Sequence, residues 1–151
     1  MRRVNSEEVI HRLRTVMDPE LPGVNIVDLG MVDEIAMDEQ GLRVTLIPTF
    51  LGCPALELIG SQVKTALNDI GPTEVQWSIH HEWSSERITD EGRQALLLWG
   101  VAPPSQRSDS VTCPFCGSSK TRSLSQFGRT LCQQLYYCES CSQPFDRFKR
   151  I

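Results

Sequence analysis

The sequence has no uninterrupted apolar run long enough to cross a bilayer, so none of its 151 residues reads as a membrane-spanning helix. Its start, Met1-Arg2-Arg3-Val4-Asn5-Ser6-Glu7, passes directly into charged helical sequence and lacks the apolar core of a secretory signal. A cytoplasmic protein is therefore expected. There is also no serine nucleophile elbow, no Gly-rich phosphate loop and no zinc-protease pattern, which leaves those hydrolytic and nucleotide-binding chemistries without a motif.

What is present is an apolar content of 40% and six cysteines, four of them in paired Cys-x-x-Cys form. The apolar content is that of a soluble globular protein, and the length allows one ordinary domain plus a small one. Without an export signal, paired cysteines point to a metal site in preference to disulfides. Charge is divided unevenly. Residues 1–111 carry 9 Lys+Arg and 17 Asp+Glu, a balance of −8, whereas residues 112–151 carry 6 and 2, a balance of +4. The acidic part argues against nucleic acid as its ligand, and the basic tail keeps that reading open for the tail alone.

Asn5 followed by Glu8 resembles a capping box, and Val9, Ile10, Leu13, Val16 and Met17 then share one helical face, predicting a core helix of about 12 residues. Met17-Asp18-Pro19-Glu20-Leu21-Pro22-Gly23 ends it, because two prolines and a glycine forbid regular structure. Asp18 and Glu20 flank a stiffening proline and can bind a metal, act as acid and base, or cap the turn. Met31–Met37 and Leu42–Ile47, joined through Glu39-Gln40-Gly41, predict an antiparallel hairpin with Leu42, Val44 and Leu46 on one face.

The second strand delivers the chain to Thr49-Phe50-Leu51-Gly52-Cys53-Pro54. Pro54 suits the first turn of a helix that buries Leu56, Ile59, Val63, Ala66, Leu67 and Ile70 and stops at Gly71-Pro72. Cys53 is then expected at the helix mouth, where unpaired N–H groups and the helix dipole favour a thiolate. The alternative is a small buried residue closing the turn. Thr73–His80 reads as a third strand, with Val75, Trp77 and Ile79 alternating, and leads into His80-His81-Glu82-Trp83. The histidines read first as half-buried strand-end residues, and only one of an adjacent pair can face Cys53. Thr89 caps a last helix through Trp99, Gly100 stops it, and its leucines and Trp99 read as packing residues.

The predicted organisation is a domain over 1–100, a linker over 101–111 rich in proline and small polar residues, and a ribbon over 112–151. In the ribbon, Cys113, Cys116, Cys138 and Cys141 are spaced Cys-x2-Cys-x21-Cys-x2-Cys, one residue beyond the usual zinc-ribbon range. Two turns that each present two thiolates, joined by a hairpin of Thr121–Phe127 and Thr130–Tyr137 around Gly128, supply a closed tetrahedral cage. So short a segment cannot bury a sufficient core, which makes the metal a source of folding free energy. Zinc is the first choice, with iron or an iron-sulfur cluster also compatible with four thiolates. Cys132 lies inside a predicted strand, and Arg122, Arg129, Arg147, Lys149 and Arg150 read as solvated surface.

Four motifs in order carry a resemblance. Asp18-Pro19-Glu20, Val27-Asp28-Leu29-Gly30-Met31-Val32, Thr49-Phe50-Leu51-Gly52-Cys53-Pro54 and His81-Glu82-Trp83-Ser84-Ser85-Glu86-Arg87-Ile88 resemble the successive motifs of the iron-sulfur assembly domain of SufT-like proteins, over most of residues 5–100. With the ribbon, the whole chain is similar to accessory proteins of phenylacetyl-CoA epoxidase, the multicomponent oxygenase of aerobic phenylacetate degradation. The resemblance implies an α+β iron-sulfur-assembly-type domain (helix, β-hairpin, helix, strand, helix) with a small C-terminal four-cysteine zinc ribbon. It implies maturation of an iron-sulfur client, the oxygenase reductase component, with no catalytic turnover of its own.

By motif position the family's reactive cysteine maps to Cys53 and its acidic loop to Asp18 and Glu20. Cys53 would hold iron or a transient cluster, and because one thiol cannot hold a cluster alone, a homodimer or ligands from the client are required. Two other readings stand beside it: a non-catalytic structural subunit of the oxygenase, and a nucleic-acid-binding ribbon. A cysteine enzyme would need a base for Cys53, and none is identifiable in the sequence.

Overall fold

The Asn5 side chain accepts the backbone N–H of Glu7 and so caps α1, Ser6–Leu13, in a computed structural model that describes residues 5–21, 23–49, 55–78, 80–104, 111–130 and 133–149. The cap therefore differs from the capping box expected with Glu8. The helix is also shorter than its apolar spacing predicted. Val9, Leu13 and Val16 are buried, but α1 ends at Leu13 and Met17 is 44% exposed, since the residues between them form tight turns.

The chain divides into two compact units, Met1–Trp83 and Ser84–Ile151. In the first, β1 (Val32–Asp38) and β2 (Gly41–Leu46) form the expected antiparallel hairpin, and Leu42, Val44 and Leu46 are buried. Helix α2, Leu56–Leu67, then crosses over to β3, Thr73–Trp77, which pairs parallel to β2. The sheet order is β1-β2-β3. Such a parallel pair needs a helical crossover, and that role explains the apolar stripe of α2: Ile59, Val63 and Leu67 are buried, and Leu56, Ala66 and Ile70 are half-buried. Ile79, expected in this strand, lies outside the described residues.

The second unit begins with a 3-10 turn at Ser85–Arg87 and α3, Asp90–Leu98, whose cap Thr89 accepts the N–H of Gly92 as expected. Gly100, at φ +74°, provides the left-handed residue that stops it. The packing expectation for its end is corrected. Leu97 is 42% exposed, Leu98 86% and Trp99 60%, because the buried stripe of α3 runs through Gly92 and Leu96.

The expected linker also starts too early. Val101–Ala102 form β4, buried and parallel to the strand Pro144–Phe148, so the chain enters the ribbon sheet where a linker was expected. Residues 105–110 lie outside the described residues. The sheet has the order β4-β7-β6-β5, with β5 at Thr121–Ser125, β6 at Gln133–Cys138 and β7 at Pro144–Phe148. The hairpin β5–β6 is the one the sequence predicted, whereas β7 was not anticipated. It buries Phe145, Asp146, Arg147 and Phe148, so Arg147 is not the solvated surface residue expected. No helix among the described residues is long and apolar enough to cross a membrane.

Candidate functional site

Two turns of the same construction hold the four ribbon cysteines. In Cys113-Pro114-Phe115-Cys116-Gly117, the N–H of Gly117 donates to the carbonyl of Cys113, and the N–H of Cys113 donates to the carbonyl of Ser118. In Cys138-Glu139-Ser140-Cys141-Ser142, Ser142 and Gln143 take the same two parts. The fifth residue is left-handed in both turns, Gly117 at φ +77° and Ser142 at φ +58°. Pairing of Thr121 with Cys138 across the hairpin brings the turns together, and a hydrogen bond of 2.7 Å between the Ser118 and Ser140 hydroxyls ties them.

The result is a cage in which all four sulfurs lie within 4.8 Å of one another. Cys113 Sγ stands 3.8 Å from Cys141 Sγ, and Cys116 Sγ 3.5 Å from Cys138 Sγ. These are not disulfide lengths, and all four cysteines are free. Sulfurs about 2.3 Å from a central zinc at tetrahedral angles stand about 3.8 Å from one another, so the cage fits a closed thiolate metal centre. Its surroundings are small: Ala102, Val111 and Phe145 pack with Cys113 and Cys138, and Tyr136 lies against them.

Backbone donors prepare the sulfurs for the ionised state. The N–H of Phe115 points at Cys113 Sγ over 3.4 Å. The N–H of Cys141 stabilises the Cys138 thiolate, which is lowered to about 7. Cys141 is pushed up to about 12 by burial first and by its hydrogen bonds to neighbouring thiols second. Four thiolates cannot share this space without a cation, and a divalent metal supplies that charge when bound. Every corner comes from the chain, so the cage leaves no open coordination position.

In the first unit, the structure brings Asp18 and Glu20 together in one turn. Asp18 is 6% exposed, and its Oδ1 accepts the N–H groups of Glu20 at 2.8 Å and Leu21 at 3.2 Å. Burial raises its carboxyl above the usual aspartate value, and those two donors oppose the shift. Glu20 is half-buried beside it. Thus the turn-capping reading of Asp18 holds geometrically. Cys53, the other expected partner, lies outside the described residues, as does Cys132.

Two arrangements escaped the sequence reading. Asp28, 8% exposed, receives Arg14 Nη1 at 2.7 Å and Asn25 Nδ2 at 2.8 Å, while its own N–H donates to Asn25 Oδ1. The Asn25-to-Asp28 spacing was the available signal. His81 Nδ1 lies 2.7 Å from Asp33 Oδ2, a contact between β1 and the segment after β3 that no local pattern announces. Trp83, in the same motif, is buried and donates its indole N–H to the Leu29 carbonyl at 2.8 Å.

Each half has counterparts among known proteins. Residues 6–77 match the family model described as iron-sulfur cluster assembly protein, and residues 101–149 match that of the PaaD zinc beta ribbon domain. Over 95% of its length the chain is 36% identical to an Escherichia coli (strain K12) protein named as a subunit of 1,2-phenylacetyl-CoA epoxidase, of which 92% is covered. Over 67% of its length it is 37% identical to the Fe-S protein maturation auxiliary factor YitW of Bacillus subtilis (strain 168), of which 99% is covered. Among solved structures it resembles a domain of unknown function, DUF59, from Bacillus anthracis, with a TM-score of 0.55 and 35% identity over 60% of this chain and 89% of that one.

Proposed function

The chain belongs to the iron-sulfur cluster assembly family of these relatives, in the branch that carries a PaaD zinc beta ribbon, and we propose that it is an accessory protein that assists iron-sulfur cluster or iron maturation of the phenylacetyl-CoA epoxidase complex, with the reductase component as its client. The observation that carries this reading is the closure of the cage by Cys113, Cys116, Cys138 and Cys141. A zinc held there has no free position for substrate, so the ribbon is a structural module and delivery chemistry falls to the first unit. Among the described residues no other group of three or more His, Cys, Asp or Glu stands close enough together to hold a metal ion. On this reading the protein works in the cytoplasm, where its client is made, and turns over no substrate of its own.

In the first unit Cys53 is the residue for iron, a cluster or a partner's sulfur. It stands three positions before Leu56, the first residue of α2, where a helix dipole favours a thiolate. Asp18 and Glu20 supply the acidic turn as a secondary ligand or proton acceptor. One thiol needs further ligands, from the client or a second copy.

The test is the cluster content of the epoxidase reductase produced with this protein, without it, and with Cys53→Ser. The expected result is a full cluster only with the wild-type chain, while Cys53→Ser retains fold and ribbon metal. A full cluster in all three cases defeats the maturation reading. The name of the Escherichia coli relative favours one second reading, a structural subunit held permanently in the oxygenase. That reading requires stoichiometric copurification with the active epoxidase and loss of activity when the chain is stripped from the mature enzyme.

A further inference from the structure

Three aromatic side chains of the second unit stay in water although the unit has little apolar core to spare: Trp99 is 60% exposed, Phe115 58% and Phe127 69%. They come from three separate elements, the end of α3, the first cysteine turn and the segment after β5, yet they line one groove of about 460 Å³ with Leu135 and Phe145. The groove is built. Phe115 belongs to the cage turn, and its ring lies so close to Gly100 that a Cβ there would stand 3.0 Å from it. The N–H of Phe127 is held by Ser125 Oγ at 3.1 Å. A contiguous exposed apolar patch of this kind marks a docking surface, and tryptophan and aromatic anchors dominate binding at such surfaces.

Its rim is cationic. Arg129 is 78% exposed on its side chain, and Lys149 Nζ sits 5.3 Å from the centre of the Phe127 ring. The acid of the lining, Asp146, is buried and already meets Arg129 at 2.9 Å. With residues 112–151 at +4, the groove fits an acidic surface with an apolar anchor. Nucleic acid would need a run of cations to follow its phosphates, whereas Arg122 pairs with Glu139 and Arg147 is buried, so the two rim cations suit a short acidic segment better.

We propose that the groove between Trp99, Phe115 and Phe127 docks the client protein, by taking a bulky apolar side chain from an acidic segment whose carboxylates meet Arg129 and Lys149. The identity of the client rests on the function proposed above. Docking by the ribbon would hold the client while the first unit works on it.

The test is calorimetric titration of the purified reductase component into the full-length, zinc-loaded chain. Wild type is expected to bind with an affinity that falls as salt rises, and Trp99→Ser/Phe127→Ser to bind about tenfold or more weakly with zinc content and circular dichroism unchanged. Lys149→Glu, which leaves the aromatic rings in place, is expected to weaken binding at low salt only. Leu98→Ser, at an exposed residue outside the groove lining, should bind as wild type. Groove variants that bind as wild type overturn the groove and leave the accessory role standing. A wild-type chain that does not bind the reductase overturns both. Concentration-dependent dimerisation abolished by the groove variants would put a second copy there, and binding of a single-stranded oligonucleotide lost in them would put nucleic acid there. Either result overturns the client.

Discussion

Cys116 Sγ stands 3.5 Å from Cys138 Sγ although 21 residues separate them, a spacing fit for two thiolates on one metal and too long for a disulfide. Cys138 is wholly buried beside Cys113, Val111 and Phe145 in a cluster too small to hold the ribbon unaided. Cys138→Ser, or removal of zinc by a strong chelator, should therefore melt residues 111–149 while the first unit stays folded. Amide exchange by region checks this, and ribbon protection that survives metal removal would show that packing alone suffices.

Metal uptake should release protons. Cys141 is raised to about 12, chiefly by burial, and at neutral pH carries a proton that a metal must displace. Cys138, lowered to about 7 by the Cys141 N–H, ionises more readily and gives up less. The enthalpy of zinc binding should therefore depend on the ionisation heat of the buffer, and affinity should fall as pH drops, because protons then compete for the sulfurs. Calorimetry in two buffers of different ionisation heat, repeated at a lower pH, measures both.

Asp18 presents the opposite sign from an ion-paired carboxylate. Burial raises its folded value above the ordinary 3.8, so the fold favours the neutral form, and the stability it contributes declines as pH rises from 3.8 through the raised value. Asn at this position keeps an oxygen for the N–H groups of Glu20 and Leu21 and removes the buried charge. Asp18→Asn should be as stable as wild type or slightly more so at neutral pH, with the advantage vanishing in acid. Asp18→Ala should lie about 1 kcal/mol below Asp18→Asn at every pH through the uncapped turn. Thermal unfolding across pH separates the two, and client cluster content with the Asn variant tells whether the carboxylate has a further role.

Asp28 is a buried carboxylate whose cationic partner is half in solvent: Arg14 is 46% exposed on its side chain. Arg14→Met leaves the charge on Asn25 and its remaining contacts, and should cost about 1–2 kcal/mol, below the full penalty for a wholly buried pair. Asp28→Asn in the same background should recover part of the loss, since it removes the stranded charge. Denaturant unfolding of the two single variants and the double variant measures the coupling.

Ser142 is the one described non-glycine residue with positive φ, at +58°, in the position Gly117 fills in the companion turn. Ser142→Gly should raise the stability of the zinc-loaded ribbon by up to about 1 kcal/mol, because the left-handed conformation costs a residue with a Cβ about that much. A lower melting temperature would mean that the Ser142 side chain stabilises the cage in some other way.

Local pattern determined much of this protein. The paired cysteines, the alternation of Leu42, Val44 and Leu46, the buried line of Ile59, Val63 and Leu67 on α2 and the Thr89 and Gly100 boundaries each act within a few residues, and each stands in the structure as read. The four motifs in order, with the ribbon, pointed to the family. What remained hidden depends on groups far apart in the chain. Periodicity marks Leu97, Leu98 and Trp99 as apolar but cannot tell whether anything covers them, and in the fold they are exposed. Charge marks Arg147 as surface, yet strand β7 buries it beside Tyr136. The parallel pairing of β3 with β2, the contact of His81 with Asp33 and the meeting of Trp99, Phe115 and Phe127 were likewise decided only by tertiary structure. The physical reason is common to all of them: sequence spacing fixes which face of its own element a side chain takes, whereas what meets that face is set by packing among elements.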